Sequence, residues 1–385
     1  MMPTAAGYRA EFPVALDRTY LISASLGPLS RRSRALAEEH LELWGRLGPE
    51  ELWFEHGLPR LQECRERLAG LIGADASEIA IVPSVSAGLS SLATCLDFGA
   101  RPKVVASGMD FPTNHYVWLA NGRRGAKLDV AASPDGIRVE EEDLIRRIDE
   151  STAIVNTNRV LFESSWLMDL EPVVEAAHAN GAYVVVDDFH GTGIVPIDVH
   201  ALGIDFLLTG ALKWLCGGQG IAFLYVRREL IERLEPLVVG WFGTEAPFDF
   251  DRSALRLRGD AGRFETGTYA LPQAWTAAGG LGLIGEAGVT AIRAHNQELT
   301  GEVIARADEL GLEVLTPRDP ARRGGLVRVG IEGGRRRAEG ILHALFERDV
   351  VLDSRADTLR ISPHLFNDSS DVDRCFTELA ELLRA

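Results

Sequence analysis

One lysine and one nearby acid carry the first chemical signal of this chain. Lys213 stands in Thr209-Gly210-Ala211-Leu212-Lys213-Trp214-Leu215-Cys216-Gly217-Gly218, after the apolar run Ile204 to Leu208. Asp187 follows another apolar run, Ala182 to Val186, and opens Asp187-Asp188-Phe189-His190-Gly191. The lysine comes 26 residues after the acid. A buried amine attacks carbonyl groups and forms a Schiff base with an aldehyde. A carboxylate at a strand end can keep a pyridine nitrogen protonated, so that the ring accepts electrons. Together they have the layout of a pyridoxal phosphate (PLP) site. Asp commonly caps the end of a strand, and Asp188 is adjacent, so the residue types alone leave the choice between the two acids open.

The surrounding pattern predicts the elements that hold these groups. From the seventies to about 240 the chain alternates apolar strand-like runs with helical stretches. The runs are Ile79 to Val82, Lys103 to Ala106, Ala153 to Asn156, Ala182 to Asp187, Phe206 to Thr209 and Ile221 to Val226. A helix is expected from about Ser86, and another over Leu170 to Asn180, closed by Gly181. Such alternation gives an α/β fold, a mostly parallel sheet with helices on both faces. Ligands sit beyond the carboxyl ends of its strands, where Asp187, Lys213 and the serines after Val82 fall. From about 290 the texture changes to a long helix, short strands near Leu312 to Leu315 and Leu326 to Val329, a helix over Arg336 to Arg348 and a last helix after Ser370. This predicts a smaller C-terminal α+β domain. The expected division is an N-terminal segment 1–30 that contributes to the small domain and the active site, a large cofactor domain 31–260 and a small domain 261–385. Gly280-Leu281-Gly282-Leu283-Ile284-Gly285 spells GxGxxG, but a dinucleotide site needs a strand before it. The preceding Gln273 to Ala278 is helical, so these glycines are expected to pack helices together.

Composition narrows the partners. The 385 residues include 40 Lys plus Arg and 56 Asp plus Glu, a formal charge of −16. That argues against nucleic acid and anionic membranes, which attract basic patches. Cys64, Cys95, Cys216 and Cys375 form no CxxC pair, so neither a disulfide framework nor a metal site is expected. The N-terminus shows no signal-peptide pattern, and no apolar run reaches the ~18 residues of a membrane span. A cytoplasmic protein is expected.

Several segments then resemble one family, the class V aminotransferase branch of the fold-type-I PLP enzymes. That branch includes kynureninases, cysteine desulfurases and isopenicillin-N-epimerase-like proteins. The likeness runs from Tyr20-Leu21-Ile22-Ser23-Ala24-Ser25-Leu26-Gly27-Pro28 to the last helix. It implies a large domain with a mostly parallel seven-stranded sheet and a homodimer with shared active sites. Lys213 is similar to the Schiff-base lysine. Asp187 and His190 match the family's Asp-x-x-His/Gln, and that spacing selects Asp187 over Asp188. Val85 and Ser86, in Val82-Pro83-Ser84-Val85-Ser86-Ala87-Gly88, stand where the family binds phosphate; a helix N-terminus suits an anion. Asp110-Phe111-Pro112-Thr113-Asn114-His115-Tyr116 resembles the kynureninase Phe-Pro-x-Asp-x-Tyr segment, with Phe111 stacking on the cofactor and Asn114 in place of the acid. Gly240-Trp241-Phe242-Gly243 and Arg263-Phe264-Glu265-Thr266-Gly267-Thr268 look like segments that reach the neighbouring subunit's phosphate, through Trp241 and Thr268. For Phe111 and Trp241 an ordinary core or interface role competes. Leu359-Arg360-Ile361-Ser362-Pro363-His364-Leu365-Phe366-Asn367 is close to the family's Leu-Arg-Ile-Ser-Pro-His-x-Tyr-Asn. Arg360 would hold the α-carboxylate of a substrate with its planar fork, and Ser25 joins it as a substrate-binding residue.

Departures limit the reaction. Val350 to Asp357 holds no cysteine, so the persulfide chemistry of desulfurases is not expected. Leu212 stands where kynureninases carry a tyrosine, and Arg159 where many members carry a histidine. The resemblance therefore implies a PLP enzyme acting on an α-amino acid, as a lyase (C–S or C–C cleavage) or an aminotransferase. An epimerase of the isopenicillin-N type and a PLP-binding protein without turnover are the alternatives.

Overall fold

A computed structural model describes residues 5–384. Twelve strands follow in chain order: β1 (Thr19–Tyr20), β2 (Ile79–Val82), β3 (Lys103–Ser107), β4 (Lys127–Ala131), β5 (Thr152–Asn158), β6 (Tyr183–Asp187), β7 (Phe206–Gly210), β8 (Ala222–Val226), β9 (Val327–Gly330), β10 (Val350–Val351), β11 (Asp353–Arg355) and β12 (Thr358–Ile361). Seven form one sheet in the order β2-β8-β7-β6-β5-β3-β4. Only β8 runs against its neighbours. This is the mostly parallel seven-stranded sheet expected of the fold.

Side chains alternate across each strand, and here both faces are covered. Val104, Ile154, Val185, Leu208 and Leu224 enter one apolar layer. Val105, Val155, Val184, Leu207 and Phe223 enter the other. Burying each such side chain is worth roughly 1.5–3 kcal/mol, which fixes the strand register against a one-residue slip. The chain goes from β3 to β4 on one side, then returns to place β5 on β3's other side. That reversal leaves a crevice between β3 and β5 at their carboxyl ends, the usual ligand position in open α/β sheets.

A third apolar cluster joins Leu299, Val303, Val329, Ala338, Leu359 and Phe376 around the antiparallel sheet β11-β12-β9. Strand β1 pairs with β10, so the N-terminal segment is stitched to this small sheet's side of the molecule. Helix Leu271–Ala287 packs instead into the first cluster, and the GxGxxG glycines lie inside it with no strand before them. No helix among the described residues is long and apolar enough to cross a membrane.

Three expectations need correction. Strand β4 was not foreseen: it is an edge strand carrying Lys127 and Asp129, and edges tolerate charge. Leu312 to Leu315 makes a single bridge, Val314 to Val329, and no strand, with Gly311 in the left-handed region just before it. The helix expected from about Ser86 starts at Val85, because Ser84 is its cap, accepting from the Ala87 N–H at 3.1 Å.

Candidate active site

Lys213 follows β7 in a tight turn, in which Cys216 N–H donates to Lys213 O at 3.0 Å and Gly217 N–H to Ala211 O at 2.8 Å. The N-terminal segment lies on this turn: Gly27 N–H donates to Leu212 O at 2.8 Å. A Cβ at Gly27 would stand 2.0 Å from Lys213 O, so no larger residue allows that approach. Lys213 Nζ lies 2.7 Å from His190 Nε2. It also sits 4.3 Å from the Phe189 ring centroid and 5.7 Å from that of Phe111. Burial lowers its pKa to about 7; Asp187 opposes the shift, and Arg360 and Arg355 add to it. Burial, then the lysine charge, holds His190 well below its ordinary value, so its ring is neutral. His190 Nδ1 is buried without a partner.

A pH dependence follows. Below about pH 7 Nζ carries a proton and has no free pair; above it the amine is free. Uptake of PLP by the cofactor-free protein should therefore rise about tenfold per pH unit below 7 and level off above, because only the free amine attacks. Stopped-flow absorbance measures this. A profile still rising steeply at pH 9 would show that Lys213 keeps an ordinary lysine pKa.

Asp187 ends β6 and faces the β3–β5 crevice. Phe189 N–H donates to its Oδ1 at 3.1 Å, and Asn114 Nδ2 to its Oδ2 at 3.2 Å. Asn158 ties the crevice together. Its Oδ1 accepts from Phe111 N–H at 2.9 Å and from Asn114 Nδ2 at 3.3 Å, and its Nδ2 donates to Asp187 O at 2.9 Å. Asn158 N–H donates to Asp110 Oδ1 at 2.9 Å. Burial raises Asp187 above the carboxylate range and pushes Asp110 up to about 8. A buried acid so placed stays ionised only beside a cation or strong donors.

Asp188 is committed elsewhere. Arg159 Nε and Nη2 donate to its two oxygens at 2.8 and 2.9 Å, both side chains being buried. Gly191 permits this: a Cβ there would lie 2.1 Å from Asp188 Oδ1. Asp187 is the last residue of β6 and Asp188 the first beyond it, and one acid of the pair meets the crevice and the other the ion pair.

Val85 is buried in the first turn of its helix, a turn whose N–H groups lack intrahelical partners. Ser86 Oγ lies 3.0 Å from Thr113 Oγ1, joining the first turns of the helices that follow β2 and β3. Trp241 packs on Phe242, Phe248 and Phe250, apart from the rings around Lys213. Thr268 is exposed and lines a cavity of about 170 Å³ with Val82, Pro83 and Gly220. Within one chain neither residue joins the lysine cluster. Arg263 spends its guanidinium on the carbonyls of Arg258, Ile231 and Leu234.

Arg360, on β12, is buried beside Ser25 and Asp353. Its Nη1 donates to Phe162 O at 2.6 Å and its Nη2 to Ser25 Oγ at 2.9 Å. Nη2 also pairs with Asp353, and Nε has no partner. Sequence reasoning gave no role to Asp353, Asn158, Phe162 or Phe189. For Asp353 a signal was present: Arg355-Ala356-Asp357-Thr358 is a hairpin turn, and counting back across it places Asp353 opposite Arg360.

These residues fit PLP. Asp187 needs a cationic donor, which a ring N–H supplies. Asn114 Oδ1 and His190 Nδ1 are buried atoms still without partners, and Phe111 leaves a half-exposed aromatic face at the crevice. The chain is 32% identical over 374 residues to the uncharacterized aminotransferase YcbU of Bacillus subtilis, covering 97% of this chain and 96% of that one. It is 29% identical over 373 residues to a kynureninase of Geobacillus thermodenitrificans, covering 92% and 86%. A structure of C-DES with glycine covalently linked to its PLP cofactor superposes with a TM-score of 0.87 at 19% identity, over 97% of this chain and 99% of that one. The sequence profile of the aminotransferase class-V family matches residues 58–375, from the helix before β2 to the last helix, and the chain is a member of that family.

Proposed function

We propose that this protein is a PLP-dependent lyase or aminotransferase acting on an α-amino acid, with Lys213 as the covalent anchor and base. The observation that carries the reading is one cluster: Lys213 Nζ on neutral His190, the buried acid Asp187, and the buried guanidinium of Arg360. Bound PLP supplies an aldehyde for amines and a ring that stores an electron pair. Val85 and Ser86 hold its phosphate at the helix N-terminus, and Phe111 covers its ring. Asp187 holds a proton at the ring nitrogen, with Asn114 fixing the carboxylate and Asn158 the backbone carbonyl of the same residue. Lys213 Nζ, once released, takes the substrate Cα proton as general base. His190 orients Nζ without competing for that proton, since its ring stays neutral. Arg360 and Ser25 receive the α-carboxylate.

The assembly we propose is a cytoplasmic homodimer in which Trp241 and Thr268 serve the partner's site. Exposed Leu237, Val238, Val239 and Phe250 beside Trp241 support a covered apolar face. Unpaired cysteines, three of them buried, suit a reducing compartment. We also propose the division into 1–30, 31–260 and 261–385, with helix Leu271–Ala287 strapping the last part onto the first core.

The test is Arg360→Lys, which keeps the charge and loses the fork. The expected loss in kcat/KM is roughly 1.5–3 kcal/mol, the size of a hydrogen bond to a charged group, or about 10- to 150-fold. The amino acid used is the one giving the largest spectral change at the bound cofactor. Decarboxylated amines should be poor substrates of the wild type and lose little more. If amines are turned over as well as amino acids, Arg360 is structural.

A further inference from the structure

The carboxylate-binding arginine is already occupied by a carboxylate of the chain itself. Asp353, Arg360 and Arg328 stand in one row across the small sheet, since Asp353 pairs with Arg360 and Arg360 with Arg328. Cross-strand partners share a face. Asp353 Oδ2 takes Arg360 Nη2 and Ser25 Oγ. Asp353 Oδ1 takes Arg355 Nη1 at 2.6 Å. The guanidinium of Arg360 therefore has one donor on Phe162 O, one on Ser25 and Asp353, and a free Nε. A carboxylate held bidentately needs two parallel N–H groups. The side-on edge, Nε with Nη2, offers them only if Asp353 lets go of Nη2.

We propose that Asp353 is a gate on substrate binding: it competes with the substrate carboxylate for Arg360 and withdraws to Arg355 when substrate enters. This rests on the reading that Arg360 takes the α-carboxylate. Three observations support the exchange. Arg355 already touches the other oxygen of Asp353, and its side chain is 46% exposed, so it can follow the acid outward. Each acid keeps a guanidinium partner throughout, which avoids an unpaired buried charge. The short hairpin between β11 and β12 turns at Ala356, a non-glycine residue at φ 52°, so the segment bearing Asp353 and Arg355 is held as one unit. The same exchange in reverse lets Asp353 reclaim Arg360 as product leaves. Asp353 thus sets the affinity for carboxylates and leaves the affinity for amines alone.

The experiment titrates the PLP-loaded protein with L-alanine and with ethylamine, following absorbance at the cofactor. Asp353→Asn keeps the shape and removes the competing charge. It should bind L-alanine about tenfold tighter, the scale of one charge-assisted contact, with ethylamine unchanged. Arg355→Gln removes the cationic donor that holds the displaced acid and should weaken L-alanine a few-fold. The double variant Asp353→Asn with Arg360→Ala should lose the gain. Melting temperatures confirm that each variant is folded, and should Asp353→Asn not fold, Arg355→Gln alone decides. Unchanged or weaker L-alanine binding in Asp353→Asn, or no response in either protein, overturns the gate. If Arg360→Ala alone binds L-alanine as the wild type does, the carboxylate role of Arg360 itself has failed. If that variant binds weakly and Asp353→Asn shows no gain, only the gate has.

Discussion

Replacing Lys213 by alanine is expected to lower turnover by at least about a thousandfold, or about 4 kcal/mol of barrier. A positioned side chain that moves a proton contributes roughly 10²- to 10⁴-fold by itself. Alanine removes that and the covalent anchor together. The fold should survive. Lys213 is the amine whose charge burial disfavours, lowering its pKa to about 7, so its loss removes a desolvation cost and the melting temperature should hold or rise. Chemistry can locate the anchor independently. The sequence contains three lysines, Lys103, Lys127 and Lys213. Lys103 is paired with Asp149, and Lys127 is exposed. Borohydride treatment of the PLP-loaded wild type, followed by peptide mass spectrometry, should place the adduct on Lys213. An adduct on another lysine, or turnover of the alanine variant within tenfold of wild type, would sink the assignment.

The parts of this molecule that were legible in the sequence share a physical cause. Ile79–Val82, Tyr183–Asp187 and Phe206–Gly210 are buried on both faces, so they read as continuous apolar runs, and the groups at their carboxyl ends could be placed on a site before any contact was known. Lys127–Ala131 is half-exposed at the sheet edge, and its charges hid it. Ser84 rather than Ser86 caps the helix after β2, a matter of which hydroxyl reaches the third N–H, which spacing alone does not decide. Of the candidate site, the sequence shows the local motifs. What escaped was long-range pairing. Asn158 meets Asn114 and Asp187 only because β5 lies between β3 and β6. Asp353 meets Arg360 through a hairpin register, which the motif around Arg360 does not contain. Arg159, noted as a departure from the family, proves to be the partner of Asp188. That pairing gives the adjacent acid a use of its own.

The two neighbouring aspartates should separate cleanly by experiment. Asp187→Asn should reduce turnover by two orders of magnitude or more, since it deletes the charge that holds a proton on the cofactor ring. General acid–base effects of roughly 10²- to 10⁴-fold set that scale. Its stability should change little, because burial already raises the pKa of Asp187 and makes the neutral form accessible. PLP should still bind, through Lys213 and the phosphate helix. Asp188→Asn should do the reverse. It leaves the buried Arg159 guanidinium without its counter-charge, facing the carbonyls of Val195 and Pro196 and one amide oxygen. Breaking a buried ion pair by removing one partner costs about 3–5 kcal/mol, and Thr192 Oγ1 also loses its charged acceptor at 2.7 Å. The expected result is a melting temperature lower by several degrees. The fraction that remains folded should keep near-normal turnover per bound cofactor. Denaturant unfolding and turnover normalised to PLP content measure the two effects separately. If Asp188→Asn is stable but inactive while Asp187→Asn turns over normally, the roles are exchanged. The ring partner would then be the acid that Arg159 holds, and the crevice between β3 and β5 would lose its claim to the cofactor.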